Sequence, residues 1–198
     1  MRKSKIDEFA DFHPLSRREW REWLAENHAQ AAGIWFVYFK KQTGKPRVTY
    51  DEAVEEALCF GWIDSLPRKV DENRSKLLFT PRKLKSVWSK LNKERIGRLI
   101  ENGLMTEIGL AKIEAAKDDG SWNALNASDN LEIGEDLQKA FDANNAAEKN
   151  FAAFTDGVKK AILQWLNSAK RAETRAARIE KLVRMAAKNK RVNFDKEV

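Results

Sequence analysis

The chain has 198 residues, of which 42% are hydrophobic and 34% charged, so it can bury a core in one domain or in a domain with a small companion. It contains no long apolar run, and its first residues lack the apolar segment of a secretory signal, so neither a membrane-spanning helix nor a signal peptide is expected. The single cysteine, Cys59, excludes an internal disulfide and favours a cytoplasmic location.

The net charge of +7 is uneven along the chain. Residues 157–198 carry 12 Lys and Arg against 4 Asp and Glu, a net charge of +8, whereas the remaining residues carry a net charge of −1. A basic segment of this kind suggests an anionic partner. Solvated helix faces are often basic without any partner, so both interpretations stay open.

Two helices are predicted from capping boxes, in which a Ser or Thr is followed three residues later by Glu. The first is expected over residues 15–27 and the second over residues 49–61. The capping pairs are Ser16 with Glu19, and Thr49 with Glu52. Gly61 is expected to end the second helix in a left-handed conformation, which residues with a Cβ adopt poorly.

Three strands are predicted in the first half of the chain. The aromatic run at residues 34–40 is short and bounded by glycine and lysines, which favours a strand. Residues 67–71 and 74–80 surround the turn-prone "DENR" and predict a hairpin. Together they predict one small antiparallel sheet.

The rest of the chain is predicted to be mainly helical. Residues 120–135 hold most of the turn-forming residues, so they are the best candidate for a boundary. The remaining helices are expected at about 92–102, 106–119, 136–144, 155–169 and 171–189. The last helix places a stripe on one face, formed by Ala172, Ala176, Ile179, Val183 and Ala186. The fold class is therefore α+β: a small antiparallel sheet packed with helices, followed by a helical C-terminal unit.

Several common kinds of site are not expected. Two histidines and one cysteine cannot make a usual zinc site without carboxylates, so no metal is predicted. Dinucleotide-binding, nucleophile-elbow and zinc-protease motifs do not occur, and no cofactor is predicted. His13 and His28 are read as surface or capping residues.

Chemistry-bearing residues are concentrated in two stretches, "ALCFGWIDS" and "FTPRKLKSVWSKLNKER". An indole wall with a guanidinium, hydroxyls and an amide is what a polar or anionic ligand needs. The candidate ligand-binding residues are Trp62, Asp64, Arg82, Ser86, Trp88, Ser89 and Asn92. The structural alternative is that the tryptophans pack in the core and the Ser and Asn residues cap turns and helices.

Longer motifs resemble a known family. "YDEAVEEALCFGWIDS", the stretch from "FTPRKLKSVWSKLNKER" to "KDDGSW", and "AKRAETRAARI" are similar to the YdeI/OmpD-associated (OmdA) family of bacterial proteins. The family is described as bacteriocin-protection or OmpD-associated proteins. The resemblance implies a YdeI-like α+β region at residues 1–125, an OmdA-like helical segment at 126–198 and a cytoplasmic, stress- or envelope-linked role. It supplies no agreed catalytic residues.

Three functional interpretations remain open. The first is a binding protein whose pocket takes a small polar or anionic ligand; an enzyme would use Asp64 as base and Arg82 as electrostatic stabiliser. The second is binding of nucleic acid or an acidic protein by the basic last helix. Its candidate residues are Arg171, Arg175, Arg178, Lys181, Arg184 and Lys188. The third is a scaffold in which all the tryptophans pack.

Overall fold

The computed structural model describes residues 5–194, and of Lys5 only the backbone. Residues 1–4, which belong to the stretch used for the signal-peptide prediction, and residues 195–198 of the basic segment therefore lie outside the described residues. The chain divides into two compact units, residues 1–123 and residues 124–198. The predicted boundary between residues 125 and 126 lies close to this division.

Unit 1 is built on a four-stranded mixed sheet with strand order β1-β2-β4-β3. The strands are β1 (Asp11–Phe12), β2 (Ile34–Phe39), β3 (Trp62–Lys69) and β4 (Arg74–Pro81). β2 pairs with β4 and β3 pairs with β4, both antiparallel, whereas β1 runs parallel to β2. The α+β class is confirmed, and the three predicted strands share one sheet.

Two features of the sheet differ from the prediction. The short β1 adds a parallel pair that no sequence pattern indicates, since two residues carry no periodicity. β3 begins at Trp62 rather than at residue 67, because the run from Trp62 pairs with the end of β4 up to Pro81. A bulge between Asp64 and Pro67 breaks the alternation of side chains that would have revealed the longer strand.

Four helices complete the described part of unit 1. They are α1 (Arg17–Asn27), α2 (Tyr50–Cys59), α3 (Lys90–Glu101) and α4 (Glu107–Asp118). Both predicted capping pairs are confirmed: Ser16 accepts from the N–H of Glu19, and Thr49 and Glu52 form a full capping box. The core of the unit is aromatic, with Trp20, Trp62 and Phe79 fully buried.

The end of α2 is packed directly against the start of α4. Gly61 ends the α2 segment with φ +69°, as predicted, and an added Cβ would also lie 2.6 Å from Lys112 Cγ. The hydroxyl of Thr106 donates a 2.5 Å hydrogen bond to the Cys59 carbonyl oxygen. Gly109 approaches so closely that a Cβ there would lie 2.2 Å from the same carbonyl oxygen. This junction fixes where β3 begins.

Unit 2 is helical throughout its regular elements. Its helices are α5 (Asn126–Asp129), α6 (Glu135–Asp142), α7 (Asn145–Ala152), α8 (Asp156–Asn167) and α9 (Ala172–Ala187). α7 was not predicted; its cap is Asn144, which accepts a 3.0 Å hydrogen bond from the N–H of Ala147. Thr155 precedes α8 as predicted, but its side chain makes no capping hydrogen bond.

The apolar core of unit 2 includes Leu137, Phe141 and Leu182, all fully buried. The face that α9 buries consists of Ile179, Leu182 and Ala186, so the predicted alanine stripe is only partly its packing face. Ala172 and Ala176 are exposed. Within residues 5–194, no helix is both long and apolar enough to cross a membrane.

Candidate functional site

The most unusual side chain of unit 1 is Arg82, which directly follows β4. Its backbone N–H donates to the Gly61 carbonyl oxygen at 2.9 Å, so the residue is held at the end of the β3–β4 pair. The side chain is only 5% exposed, and the guanidinium carbon lies 3.5 Å from the centre of the Trp88 ring. Arg82 is thus a buried cation stacked on a buried indole.

The hydrogen bonds of Arg82 leave part of the guanidinium unused. Nη1 donates to the Ser86 hydroxyl at 3.1 Å and to the Val87 carbonyl oxygen at 3.3 Å. Nε is buried and has no hydrogen-bond partner. Within the described residues, no ion pair joins Arg82 to a carboxylate, and Asp64 and Arg82, the two candidate residues of the enzyme interpretation, do not pair with each other.

The electrostatic state of Arg82 reflects this isolation. Burial lowers the pKa of Arg82 to about 10, and the nearby charge of Asp64 raises it only in part. Arg82 therefore remains a cation at neutral pH. A buried charge without a paired charge is costly, so this arrangement needs an explanation beyond packing.

A small cavity of about 10 Å³ adjoins the guanidinium. Its wall includes Arg82 and Trp88 on one side and Lys112 and Ser121 on the other. The buried Ser121 hydroxyl interacts with the Asp119 carboxylate, which lowers the pKa of Asp119, and the Ser121 backbone N–H donates to the same carboxylate at 2.9 Å. The unsatisfied donor Arg82 Nε thus belongs to a residue that lines a cavity with room for about one water molecule.

The loop over this cavity holds a strained residue. Lys85 has φ +61°, a left-handed conformation that costs a residue with a Cβ about 1–2 kcal/mol. Its backbone N–H donates to the Asp119 carboxylate at 3.0 Å. Strain of this kind persists only where surrounding contacts fix it, and it is frequent at ligand sites and switch regions.

Asp64 lies within β3, opposite Phe79, and thus before the start of the strand predicted at residues 67–71. Its carboxylate accepts a 3.0 Å hydrogen bond from the Tyr50 hydroxyl. Burial, followed by the charge and hydrogen bond of Asp64, raises the pKa of Tyr50 to about 12. The candidate base of the enzyme interpretation is therefore already engaged with a phenol.

Ser89 and Asn92 belong to a separate group at the start of α3. Ser89 is the N-cap and accepts from the N–H of Asn92 at 3.3 Å. Asn92 Oδ1 accepts from the buried Arg95 at 3.0 Å, and Arg95 also pairs with Asp51. The capping interpretation of these two residues is therefore the one their contacts support.

Trp62 is 1% exposed, with its indole N–H donating to the His28 carbonyl oxygen at 3.2 Å. It packs edge-on against Trp23 at 5.8 Å. Trp62 is a core residue, whereas Arg82 contacts both of the remaining candidates, Ser86 and Trp88. The structure thus reduces the seven predicted ligand-binding residues to a cluster of three, with Asp64 as an electrostatic neighbour.

The predicted basic row of α9 is largely engaged within unit 2. Arg175 pairs with Asp136 and also donates to Asn167 at 3.1 Å. Arg178 donates to the Ser168 hydroxyl at 2.9 Å and lies 4.9 Å over the Trp165 ring. Arg171 and Lys188 occupy the two cap positions of α9. Lys181 and Arg184 also make interactions, so the row is not a free cationic surface.

A groove of about 670 Å³ lies beside α9 in unit 2. Its floor is formed by small and apolar side chains of the predicted stripe, including Ala172, Ala176, Ile179 and Val183. The Asp136–Arg175 ion pair lies at its edge. The predicted stripe indicated an apolar face of α9, but it did not indicate that part of this face lines a groove.

Five polar residues of the Arg82 site were not predicted from the sequence. Lys83, Lys85, Lys112, Asp119 and Ser121 all line its cavity. The lysines adjoin Arg82 in the sequence or lie on α4, and Ser121 follows α4. Proximity to Arg82 could have suggested Lys83 and Lys85, but Lys112 and Ser121 reach the site only through the tertiary fold. Among the described residues, no group of three or more His, Cys, Asp or Glu could hold a metal ion.

Comparison with known families assigns each unit separately. Residues 12–112, about half of the chain, match a domain of unknown function (DUF8412). Residues 130–189 match the family described as Bacteriocin-protection, YdeI or OmpD-Associated (OmdA). No curated protein and no solved structure matches the chain.

The fold defines a two-unit protein of the α+β class, in which a helical unit follows a sheet-containing unit. The chain belongs to the DUF8412 family, and its second unit carries the OmdA domain. The resemblance to the YdeI/OmdA family is thereby confirmed, with the OmdA match covering residues 130–189.

Proposed function

We propose that this protein of the YdeI/OmdA type binds a small anionic group, a carboxylate or a phosphate, at Arg82 in unit 1. The observation that carries the proposal is the buried guanidinium with a free Nε and no carboxylate partner. An anion bound there would pair the charge and use the free donor in one step.

The surroundings favour an anion over a neutral ligand. Lys83, Lys85 and Lys112 line the cavity, and Asp119 is its one acidic wall residue. The Asp119 carboxylate already accepts the backbone N–H groups of Lys85 and Ser121. The local field is therefore positive, which raises the local concentration of small anions.

Binding would require the loop to move. The cavity of about 10 Å³ holds no more than about one water molecule, so a phosphate needs a shift of residues 83–87. The strained Lys85 lies in the middle of this segment, where a change of φ would release strain. Arg82 would keep its stack on Trp88 while the loop hydrogen bonds to Ser86 and Val87 change.

The family supplies the proposed context. The OmdA description refers to bacteriocin protection and OmpD association, and we carry both to this chain as an envelope-linked role exercised from the cytoplasm. The anion site lies in unit 1, which matches DUF8412, so this proposal concerns the unit whose function the family name leaves open.

Isothermal titration calorimetry with inorganic phosphate, acetate and citrate tests the proposal. The wild-type protein should bind at least one of these anions with a stoichiometry near one. Arg82→Met should abolish that binding, since it keeps the apolar stem on Trp88 but removes the charge. Arg82→Lys should weaken it, because an ammonium cannot reproduce the directed Nε donor.

Arg175→Met is the matched control, since it removes a guanidinium that already has a carboxylate partner in unit 2. It should leave the anion affinity unchanged. Equal loss of binding in the two arginine variants, or no binding of any anion by the wild type, would contradict the proposal.

A further inference from the structure

The loop that covers the Arg82 cavity presents an unusual outer surface. Residues 83–91 read "KLKSVWSKL" and contain no acidic residue. Leu84 is 73% exposed, the largest exposed fraction among the large hydrophobic side chains described, and Val87 and Leu91 are about half exposed. Aliphatic and cationic side chains therefore share one solvent-facing segment.

The exposure of these aliphatic side chains comes from an ordered loop and not from a frayed one. Ser86 donates to the Lys83 carbonyl oxygen at 2.8 Å, and Arg82 donates to the Val87 carbonyl oxygen at 3.3 Å. Trp88 is buried beneath the loop. These contacts fix the polar atoms inward and leave Leu84 and Val87 pointing to solvent.

We propose that residues 83–91 dock onto an anionic lipid surface, with Leu84 and Val87 entering the headgroup region and Lys83 and Lys85 contacting lipid phosphates. Cationic side chains flanking exposed aliphatic ones are the composition of interfacial membrane contacts. This inference does not require anion binding at Arg82, although Lys83 and Lys85 also line that cavity.

Two features favour a lipid surface over other anionic partners. Protein surfaces that bind single-stranded nucleic acid without sequence preference present exposed aromatic rings on which the bases stack. The tryptophan of this segment, Trp88, is buried. Leu84 and Val87 gain nothing from contact with a phosphate backbone, whereas a bilayer interface removes them from water. The positive charge of the lysines and the exposure of the aliphatic side chains therefore both favour an anionic lipid surface as the partner.

Vesicle flotation tests the inference with two lipid compositions, pure phosphatidylcholine and phosphatidylcholine with roughly 30 mol% phosphatidylglycerol. The wild-type protein should float with the anionic vesicles only. Lys83→Gln with Lys85→Gln should lower the partition constant about fivefold for each charge removed. Leu84→Ser with Val87→Ser should lower it about tenfold or more.

Matched controls separate the loop from general charge and apolarity. Lys170→Gln with Lys190→Gln removes the same number of exposed positive charges in unit 2, and Ile100→Ser removes an exposed aliphatic side chain elsewhere in unit 1. Neither should change partitioning by more than about twofold. A loss of similar size in these controls would overturn the inference.

A fluorescent probe reports insertion directly. Cys59 is buried, and burial raises the pKa of its thiol to about 11, so a Leu84→Cys variant can be labelled selectively with a nitrobenzoxadiazole group at neutral pH. Anionic vesicles should increase and blue-shift its emission, and the same label at Ile100→Cys should not respond. Two results would overturn the inference that Leu84 and Val87 enter the headgroup region. One is unchanged emission of the label at position 84, and the other is flotation that depends on the lysines but not on Leu84 and Val87.

Discussion

Two buried charges in unit 1 have opposite surroundings. Glu56 on α2 is 2% exposed, and both of its carboxylate oxygens accept hydrogen bonds, from Arg17 Nε at 2.5 Å and Arg21 Nη1 at 2.7 Å. Arg82 after β4 is 5% exposed and has no paired carboxylate. The first charge joins α1 to α2, and the second lies under a strained loop beside a cavity.

The difference separates a structural charge from a candidate functional one. A buried charge whose partners are all present contributes to stability by holding two elements in place, and its removal leaves the partners unsatisfied. A buried charge without a partner reduces stability, and a perturbed ionisable group beside a cavity is a candidate for a functional site. Substitutions in the closely packed contacts of α2 should therefore affect the stability of unit 1 differently from substitutions at the loop over Arg82.

The largest effect is expected where α4 meets α2. Gly109→Ala would place a Cβ 2.2 Å from the backbone oxygen of Cys59, so the two helices must separate. We expect a loss of about 3 kcal/mol in the free energy of unfolding, measured by urea denaturation. Gly97→Ala in α3 is the matched control, because a Cβ there meets no atom within 4 Å. It should stabilise the protein by about 0.5–1 kcal/mol; an equal loss in both variants would contradict the packing argument.

The next largest effect concerns Glu56. Glu56→Gln places an amide donor against two guanidinium groups and removes the charge that neutralises them. Arg17 and Arg21 are about one-third exposed, so water recovers part of the loss, and we expect destabilisation of about 2 kcal/mol. The same change at the exposed Glu114, paired with Lys117, should cost less than about 0.5 kcal/mol. If the denaturation midpoints of Glu56→Gln and Glu114→Gln coincide, the assignment of Glu56 as a structural charge is refuted.

Tyr50 provides a pH test of the Asp64 neighbourhood. Because its folded pKa, about 12, lies above the usual value of 10, the contribution of the Tyr50–Asp64 contact to stability is complete below pH 10 and is lost as the pH rises towards 12. Asp64→Asn should lower the pKa of Tyr50 part of the way towards 10, since burial remains.

Phenolate absorbance in a Tyr38→Phe background isolates this titration, because the chain contains two tyrosines. Circular dichroism at each pH checks that the protein stays folded. An unchanged Tyr50 titration in Asp64→Asn would contradict the contact. Asp64→Asn should cost less than about 1 kcal/mol at neutral pH, since the amide oxygen can still accept from the phenol.

The smallest change in stability is expected at Arg82 itself. Arg82→Met removes an unpaired buried charge and keeps an apolar side chain on Trp88, so the free energy of unfolding without anions should stay within about 1 kcal/mol of the wild type or rise. Trp88→Phe serves as a packing control and should destabilise the protein by creating space in the core. A loss of more than about 2 kcal/mol in Arg82→Met would make Arg82 a structural clamp of the loop.

Much of the fold follows from local sequence signals. The N-caps Thr49 and Ser16, the stop at Gly61 and the aromatic strand are short-range patterns, and the structure contains all of them, although the reciprocal capping box forms only at Thr49. α7 was not predicted, and its cap, Asn144, is also the last residue of the helix predicted at 136–144.

The candidate site could be predicted only in part. Arg82, Ser86 and Trp88 are neighbours in the sequence, so their clustering required no knowledge of the fold. The partner of Asp64 is Tyr50, fourteen residues earlier, and the partner of the Asn92 side chain is Arg95. That Arg82 is buried without a carboxylate depends on how β4, the loop and α4 meet, which no local pattern encodes.

The central claim is that Arg82 Nε is a donor left free for an anion, whereas Arg17 Nε is already used by Glu56. Nuclear magnetic resonance of the arginine Nε–H groups during a phosphate titration tests it most directly, with the two signals assigned from Arg82→Lys and Arg17→Lys. The account predicts a saturable shift of the Arg82 signal and a stationary Arg17 signal. An Arg82 signal that stays still at saturating phosphate, or that moves no more than the Arg17 signal, would contradict it.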